Sequence, residues 1–230
     1  MLTSLQEHSA QIMVAFWETN FMMALAMVLC LIFSLPFGLL LYALREDFLL
    51  RQRGLYQLLS ILLNTIRSVP FLLLIFILIP ISRALFTTAF GNLAATLPLA
   101  LVAISIYSRF VEQACLNVPR PIIDRAISMG ATRLQILRYF ILPSIGQDLI
   151  LSLTSVAISV LSYSTVMGVI GAGGLGEFAF RYGYQEYDYP LMYVVIIIFV
   201  IYVYIIQSLG YFLAHRIATG RRRDSREKNI

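Results

Sequence analysis

The chain has 230 residues, 60% of them hydrophobic and only 13% charged, with a formal net charge of +5. A soluble domain has roughly 45–50% and 25%, and so short a chain cannot bury the surplus in its own interior, so a membrane must take it up. This excludes an ordinary soluble enzyme and leaves no room for the folded basic domain that a nucleic-acid binder needs.

Crossing a bilayer takes about 20 mainly apolar residues. Five stretches meet that requirement, near 19–44, 55–82, 92–114, 145–170 and 191–214. Val194-Val195-Ile196-Ile197-Ile198 would suggest a strand elsewhere. Within so long an apolar run, only a helix satisfies its own backbone in lipid. The expected fold class is therefore an all-α integral membrane protein with five transmembrane helices.

The cations set the orientation. Residues 1–18 have none, Arg45, Arg51 and Arg53 follow the first span, and Arg83 alone follows the second. Arg109, Arg120, Arg125, Arg133 and Arg138 follow the third, and Arg181 alone follows the fourth. The tail, 215–230, holds Arg216, Arg221, Arg222, Arg223, Arg226 and Lys228. Rich and poor segments alternate, which puts the N-terminus outside and the C-terminus in the cytoplasm. Anionic lipid is the simplest partner for Arg221–Arg223. Cys30 and Cys115 show no pairing pattern, and the N-terminus lacks the basic region of a cleavable signal.

Within 1–18, Leu2, Leu5, Ile12, Met13, Phe16 and Trp17 fall mostly on one helical face, opposite Glu7 and His8. This predicts an external interfacial helix anchored by Trp17; a frayed lead into the first span is the equal alternative. The second span is interrupted by Asn64-Thr65-Ile66-Arg67-Ser68-Val69-Pro70, where Pro70 lacks a backbone donor and can kink the helix. Arg67 is a cation inside an apolar run, which marks a functional position; alternatively it snorkels to headgroups or pairs with neighbouring carbonyls. Asn64, Arg67, Ser68 and Pro70 are candidates for a translocation pathway.

In the fourth span, Ser152, Ser155, Ser159 and Ser162 form one helical stripe. Small residues at this spacing let helices approach closely, and Ser155, Ser159 and Ser162 could equally line a polar passage. After this span, Gly171, Gly173 and Gly176 match G-x-G-x-x-G by spacing. A dinucleotide site needs a strand before that motif, and here a membrane helix precedes it. Gly171, Gly173, Gly174 and Gly176 are read instead as a flexible external turn. Tyr182, Tyr184, Tyr187 and Tyr189 then lie in the interfacial belt or face a docked partner.

The inner segment 119–143 is the most informative. Pro119 and Pro121 break continuity with the third span, and Pro121 suits a first helical turn. Ile122, Ile123, Ala126, Ile127 and Gly130 recur near helical period. Thr132 and Gln135 have the form of a capping box that opens a second helix, carrying Leu134, Leu137 and Phe140 to Pro143. Two short helices joined by a glycine bend are predicted.

This pattern resembles the EAA loop of ABC-importer permeases: E-A-A, three residues, Gly, nine residues, then I-x-L-P. Asp124-Arg125-Ala126, Gly130, Phe140, Leu142 and Pro143 stand at the matching positions, with Asp for Glu, Arg for Ala and Phe for Ile. The likeness runs from about Trp17 to Arg216 and is similar to the permease of the methionine importers. Asn64–Phe71, Met129-Gly130-Ala131-Thr132, and Gly171–Gly176 with Tyr182-Gly183-Tyr184 carry it.

The resemblance implies a type I ABC-importer permease in the bacterial cytoplasmic membrane, working as a homodimer. It also implies two ATPase subunits inside and an external substrate-binding protein, with methionine as substrate; another amino acid or a short peptide is the alternative. Coupling to the ATPase would fall to Ile122, Ile123, Asp124, Arg125, Ala126, Ile127, Gly130, Leu142 and Pro143. In that arrangement Ile122, Ala126 and Ile127 fill the partner's groove.

The chain contains no G-x-x-x-x-G-K-[ST] loop and its single lysine is Lys228. No catalytic residue, metal or cofactor is expected in this chain, with ATP and Mg held by the partner. A proton- or sodium-driven carrier would need carboxylates inside the membrane. Glu112 and Asp148 are expected only to flank spans.

Overall fold

A computed structural model describes residues 2–45, 49–86 and 91–227, with side-chain surroundings for those between 8 and 218. The side chains of Leu2, Leu5, Glu7 and the Arg221–Arg223 cluster, and all of Lys228, lie outside the described residues.

The first helix, α1, runs unbroken over Leu2–Arg45. The segment expected to be separate at 1–18 is therefore, over its described residues, continuous with the helix of the first span. Continuity at the junction has a local cause: the polar side chains there fold back onto their own helix. Thr19 Oγ1 donates to the Ala15 carbonyl at 3.1 Å and Asn20 Nδ2 to that of Phe16 at 2.8 Å. Trp17 is outward and exposed.

The second span is two helices, α2 at Arg53–Ser68 and α3 at Phe71–Phe86, bent by 110°. Val69 sits at ψ 127, extended, as steric conflict with a following proline ring demands. Next, α4 covers Asn92–Leu116 and is buried along most of its length. It is the central post. Leu99, Ala103, Tyr107 and Val111 pack into one core with Met22, Ala26 and Cys30 of α1. Gly38 makes the close approach possible, because a Cβ there would lie 2.5 Å from that of Val111.

The segment expected to lie inside is α5 (Arg120–Ser128), then α6 (Arg133–Gln135), a π-helical stretch Ile136–Ile141 and α7 (Leu142–Ser144). The fourth span, α8, is Gly146–Val169. It is followed by α9 (Gly174–Phe178), a second π-helical stretch Ala179–Gln185, and α10 (Tyr189–Glu227). The helix of the last span thus continues into the basic tail. By length and composition, four helices among the described residues can cross a membrane, five if the bent α2–α3 pair counts as one broken span. All described elements are helical.

Candidate functional site

The inner segment begins where α4 stops. Pro119, extended at ψ 130, turns the chain, and Pro121 sits in the first turn of α5, where a missing N–H costs nothing. At the far end, Gly130 N donates to Ile127 O at 2.9 Å and Ala131 N to Ala126 O at 3.0 Å. With Gly130 at φ +75, this is a Schellman closure, which satisfies the last carbonyls of the helix. Thr132 then starts the next helix with both halves of the predicted capping box, Thr132 N donating to Gln135 Oε1 at 2.8 Å.

The faces differ from expectation. Ile123 and Ala126 are buried, and with Ile136 and Ile141 they root the segment in the chain's own core. Ala126, expected to fill a partner's groove, therefore faces inward, and Ile122 is half-buried against the same core. Outward on the segment are Ile127, Met129 and Leu134, the last two 77% and 72% exposed, and the ring of Tyr139. Asp124, Arg125, Gly130 and Pro143 are also exposed, while Leu142 is half-buried. Met129 and Leu134, named in the sequence only within a resembling motif and as an apolar residue of the second short helix, are not among the expected coupling residues, although each stands beside a helix stop or start where a bend brings it outward.

A second group lies one turn above α5. Glu112, expected to flank the third span, is buried near the C-terminal end of α4. It accepts hydrogen bonds from Tyr56 Oη at 2.9 Å and from Arg109 Nη1 at 2.7 Å, with Arg45 Nη1 at 3.7 Å. Arg109, read from the sequence as an inner-loop cation, is part of α4. Its Nη2 donates to the Ser60 carbonyl at 3.0 Å, to Ser60 Oγ, and to Asn64 Oδ1 at 3.1 Å. The signal in the sequence was the i, i+3 spacing of Arg109 and Glu112 on one helix face.

Of the predicted pathway residues, Asn64 belongs to this network. Arg67 lines the same cavity of about 430 Å³ with Arg45, Tyr56, Ser60, Arg109 and Glu112. Ser68 bonds back to the Asn64 carbonyl at 2.8 Å, and Pro70 stands at the bend. Ser155 and Ser162 are exposed and Ser159 half-buried, and each hydroxyl bonds a carbonyl of its own helix. Ser162 lines a separate cavity between α8 and α10, of about 500 Å³, with Thr165, Tyr204 and Gln207. Asn64 and Arg67 on one side and Ser162 on the other thus line different cavities.

The glycine turn expected to be flexible is tied by hydrogen bonds to Glu18, Thr19 and Glu177. Gly171, Gly173 and Gly174 have positive φ. Gly173 N donates to Glu177 Oε2 and Gly174 N to Glu18 Oε2, both at 2.7 Å, and Leu175 N to Thr19 Oγ1 at 2.9 Å. Gly176 and Gly168 let α9 lie directly on the end of α8, since a Cβ on Gly176 would be 2.6 Å from Thr165 Cα. Tyr184, Tyr187 and Tyr189 are exposed, whereas Tyr182 packs against His8 with ring centroids 4.8 Å apart.

Long apolar helices around a buried post, a bent span, and a rooted inner segment with an outward apolar edge define a multi-span transport permease. Residues 34–223 match the family described as the binding-protein-dependent transport system inner membrane component. A probable D-methionine transport system permease protein MetI of Vibrio cholerae is 37% identical over 210 residues, covering 91% of this chain and 93% of that protein. The D-methionine transport system permease protein MetI of Escherichia coli is 37% identical over 152 residues, 66% of this chain and 70% of its own length.

Among solved structures, the MetNI methionine ABC transporter in an inward-facing conformation superposes with a TM-score of 0.87 at 34% identity, over 90% of this chain and 95% of that one. An amino acid ABC transporter solved with histidines shares the fold, with a TM-score of 0.76 at 19% identity over 93% of this chain and 97% of that one. The chain belongs to the binding-protein-dependent transport system inner membrane component family. It is a multi-pass membrane permease with the type I ABC-importer architecture, a transport subunit and not an enzyme.

Proposed function

We propose that the chain is the permease of an ATP-driven methionine importer, L- or D-, working as a homodimer with two ATPase subunits inside and a substrate-binding protein outside. The observation that carries this is the inner segment. Ile123, Ala126, Ile136 and Ile141 bury it firmly in the chain, while Ile127, Met129 and Leu134 leave an apolar edge outside. A rooted lever with an open edge suits work delivered by a separate protein. The relatives named for methionine transport support the substrate.

The mechanism is alternating access. Closure of the ATPase pair on ATP draws the two coupling segments together and tips the spans outward-open; hydrolysis and release reverse this. Each state is favoured only by contacts that differ between states. Asp124 and Arg125 make rim contacts, and Ile127 with Met129 and Leu134 seats in the ATPase. Asn64, Arg67, Ser68 and Pro70 with Ser155, Ser159 and Ser162 border the pathway at the dimer axis. ATP and Mg reside on the partner, and this chain holds no cofactor.

Proteoliposomes containing the chain, its ATPase and its binding protein should take up methionine only with ATP. Uptake driven by an ion gradient without the ATPase would refute the reading, and a binding protein purified with a different ligand would refute the substrate. Orientation is tested separately. Cys30 and Cys115 are buried, so a cysteine placed at Tyr187 should react with an impermeant maleimide from outside, and one at Met129 only after permeabilisation.

A further inference from the structure

Helix α2 is thinly attached. Leu63 is its one buried residue, and Leu58, Ile61 and Leu62 point outward, the first two 65% and 63% exposed. Its polar residues Tyr56, Ser60, Asn64 and Arg67 recur at helical spacing and face α1 and α4 across the small cavity. Apolar packing therefore does little to fix how α2 is rotated or how high it rides on α4. The polar contacts do that.

Those contacts converge on two residues. One end of the Arg109 guanidinium holds Glu112 at 2.7 Å; the other holds Ser60 and Asn64 of α2. Tyr56 adds a second tie from α2 to Glu112 at 2.9 Å. Guanidinium is a planar fork with fixed donor directions, so its two ends form a rigid bracket, which an ammonium cannot reproduce. The bracket is also well placed. Glu112 lies in the last turns of α4, which ends at Leu116 just before α5 starts at Arg120. Asn64 lies shortly before the bend at Val69 and Pro70.

We infer that Arg109 and Glu112 are positioning residues that carry movement of the coupling segment to the bent second span, making α2 follow the inner end of α4. The inference rests on the reading of residues 119–143 as the ATPase-coupling segment. When α5 is displaced, the inner end of α4 tilts, and the fork drags α2 and shifts the bend at Pro70. With the fork shortened to a point charge, Glu112 stays paired but Ser60 and Asn64 are released, and the lever moves without the gate.

The test uses the complete complex in proteoliposomes, with ATP hydrolysis, methionine uptake and assembly measured together. Arg109→Lys should assemble and hydrolyse ATP as the parent does, while methionine moved per ATP falls about tenfold, the scale of a strong pairwise coupling. Tyr56→Phe should lower the same ratio by less, and it decides the matter should Arg109→Lys fail to assemble. A merely structural pair would lower hydrolysis and uptake in proportion, and that result, or an unchanged ratio, overturns the inference. Cross-linking from Met129→Cys to the ATPase is measured in the same preparation. If it is absent, the coupling reading falls and the inference with it. If it is present beside an unchanged ratio in both variants, only the inference falls.

Discussion

The backbone N–H of Gly174 donates to Glu18 Oε2 at 2.7 Å, joining the N-terminal half of α1 to the glycine turn across 156 residues of sequence. Gly174 stands at φ +83, and a Cβ there would lie 2.6 Å from Thr19 Oγ1, so turn and helix are fitted to each other. This contact ties α1 to the turn between α8 and α9, beside a cavity of about 500 Å³ lined by Glu18, Asn92, Glu177 and Arg181.

Glu18→Ala should therefore destabilise the packing of α1 on the glycine turn. It leaves the Gly174 N–H without its acceptor in a partly buried place, at a cost of about 1–3 kcal/mol. Glu18→Gln retains an acceptor oxygen and should lose less. Thermal unfolding of the detergent-solubilised protein measures both. Equal stability of the Ala variant and the parent would show that the contact contributes nothing.

The glycines at the α8–α9 junction differ sharply from a glycine such as Gly54. A Cβ on Gly168 would collide with the Glu177 backbone nitrogen and lie 2.7 Å from Gly176 C, and backbone cannot swing aside as a side chain can. Gly54 has nothing within 4 Å. Gly168→Ala should cut the yield of monodisperse protein severely, as overpacking by even one methyl costs about 1–3 kcal/mol or more. Gly54→Ala should be neutral or slightly stabilising, because alanine is the better helix former. Similar behaviour of the two variants in size-exclusion profiles would refute the close-approach account.

Run length and cation placement made the membrane class legible, and the spacing Gly130, Leu142, Pro143 made the inner segment legible. Other features needed the tertiary structure. Periodicity shows that Ile123 and Ala126 share a face, but not whether that face meets the chain's own core or a partner, since both surfaces are apolar. Arg109 counts by sequence among the cations that follow the third span and Glu112 as an acid flanking it, although both fall within the stretch near 92–114, because run length does not show which charges near a span end are paired. Their mutual pairing, and Tyr56 and Asn64 arriving from α2, are what allow α4 to continue past them to Leu116. The same inward polar stripe inverts the usual sense of amphipathicity in α2. The glycine turn read as flexible for a related reason: its anchors, Glu18 and Thr19, are distant in sequence.

At Gly130 the constraint is conformational and not spatial. Its φ is +75 and a Cβ would meet nothing within 4 Å. A β-branched residue there loses about 1–2 kcal/mol to left-handed strain, whereas asparagine tolerates that region. Gly130→Val should open the Schellman closure, move Met129 and Ala131, and uncouple ATP hydrolysis from uptake while membrane insertion persists. Gly130→Asn should stay largely coupled. Equal methionine uptake per ATP in the two variants would remove Gly130 from the lever.

The bend in the second span has a cause that can be separated from its surroundings. Val69 is extended because Pro70 follows it, yet its N–H still reaches the Thr65 carbonyl at 3.2 Å. Pro70 in turn opens α3, its carbonyl accepting from Leu73 N at 2.9 Å and Leu74 N at 3.0 Å. In lipid an unpaired carbonyl is costly, so a chain that can continue as a helix tends to do so. Pro70→Ala supplies the missing N–H and lifts the steric restriction on Val69, and should therefore populate a straighter second span. Leu58 and Ile77 are both exposed and suit spin labels. At 1.5 Å per residue they would stand about 28 Å apart in a straight helix and about 17 Å apart across the present bend. Pulsed dipolar spectroscopy on Pro70→Ala should show a longer-distance population that the parent lacks, and methionine uptake should fall with it. If the two distance distributions coincide, the bend is imposed by packing of α3 against α4, and Pro70 merely tolerates it.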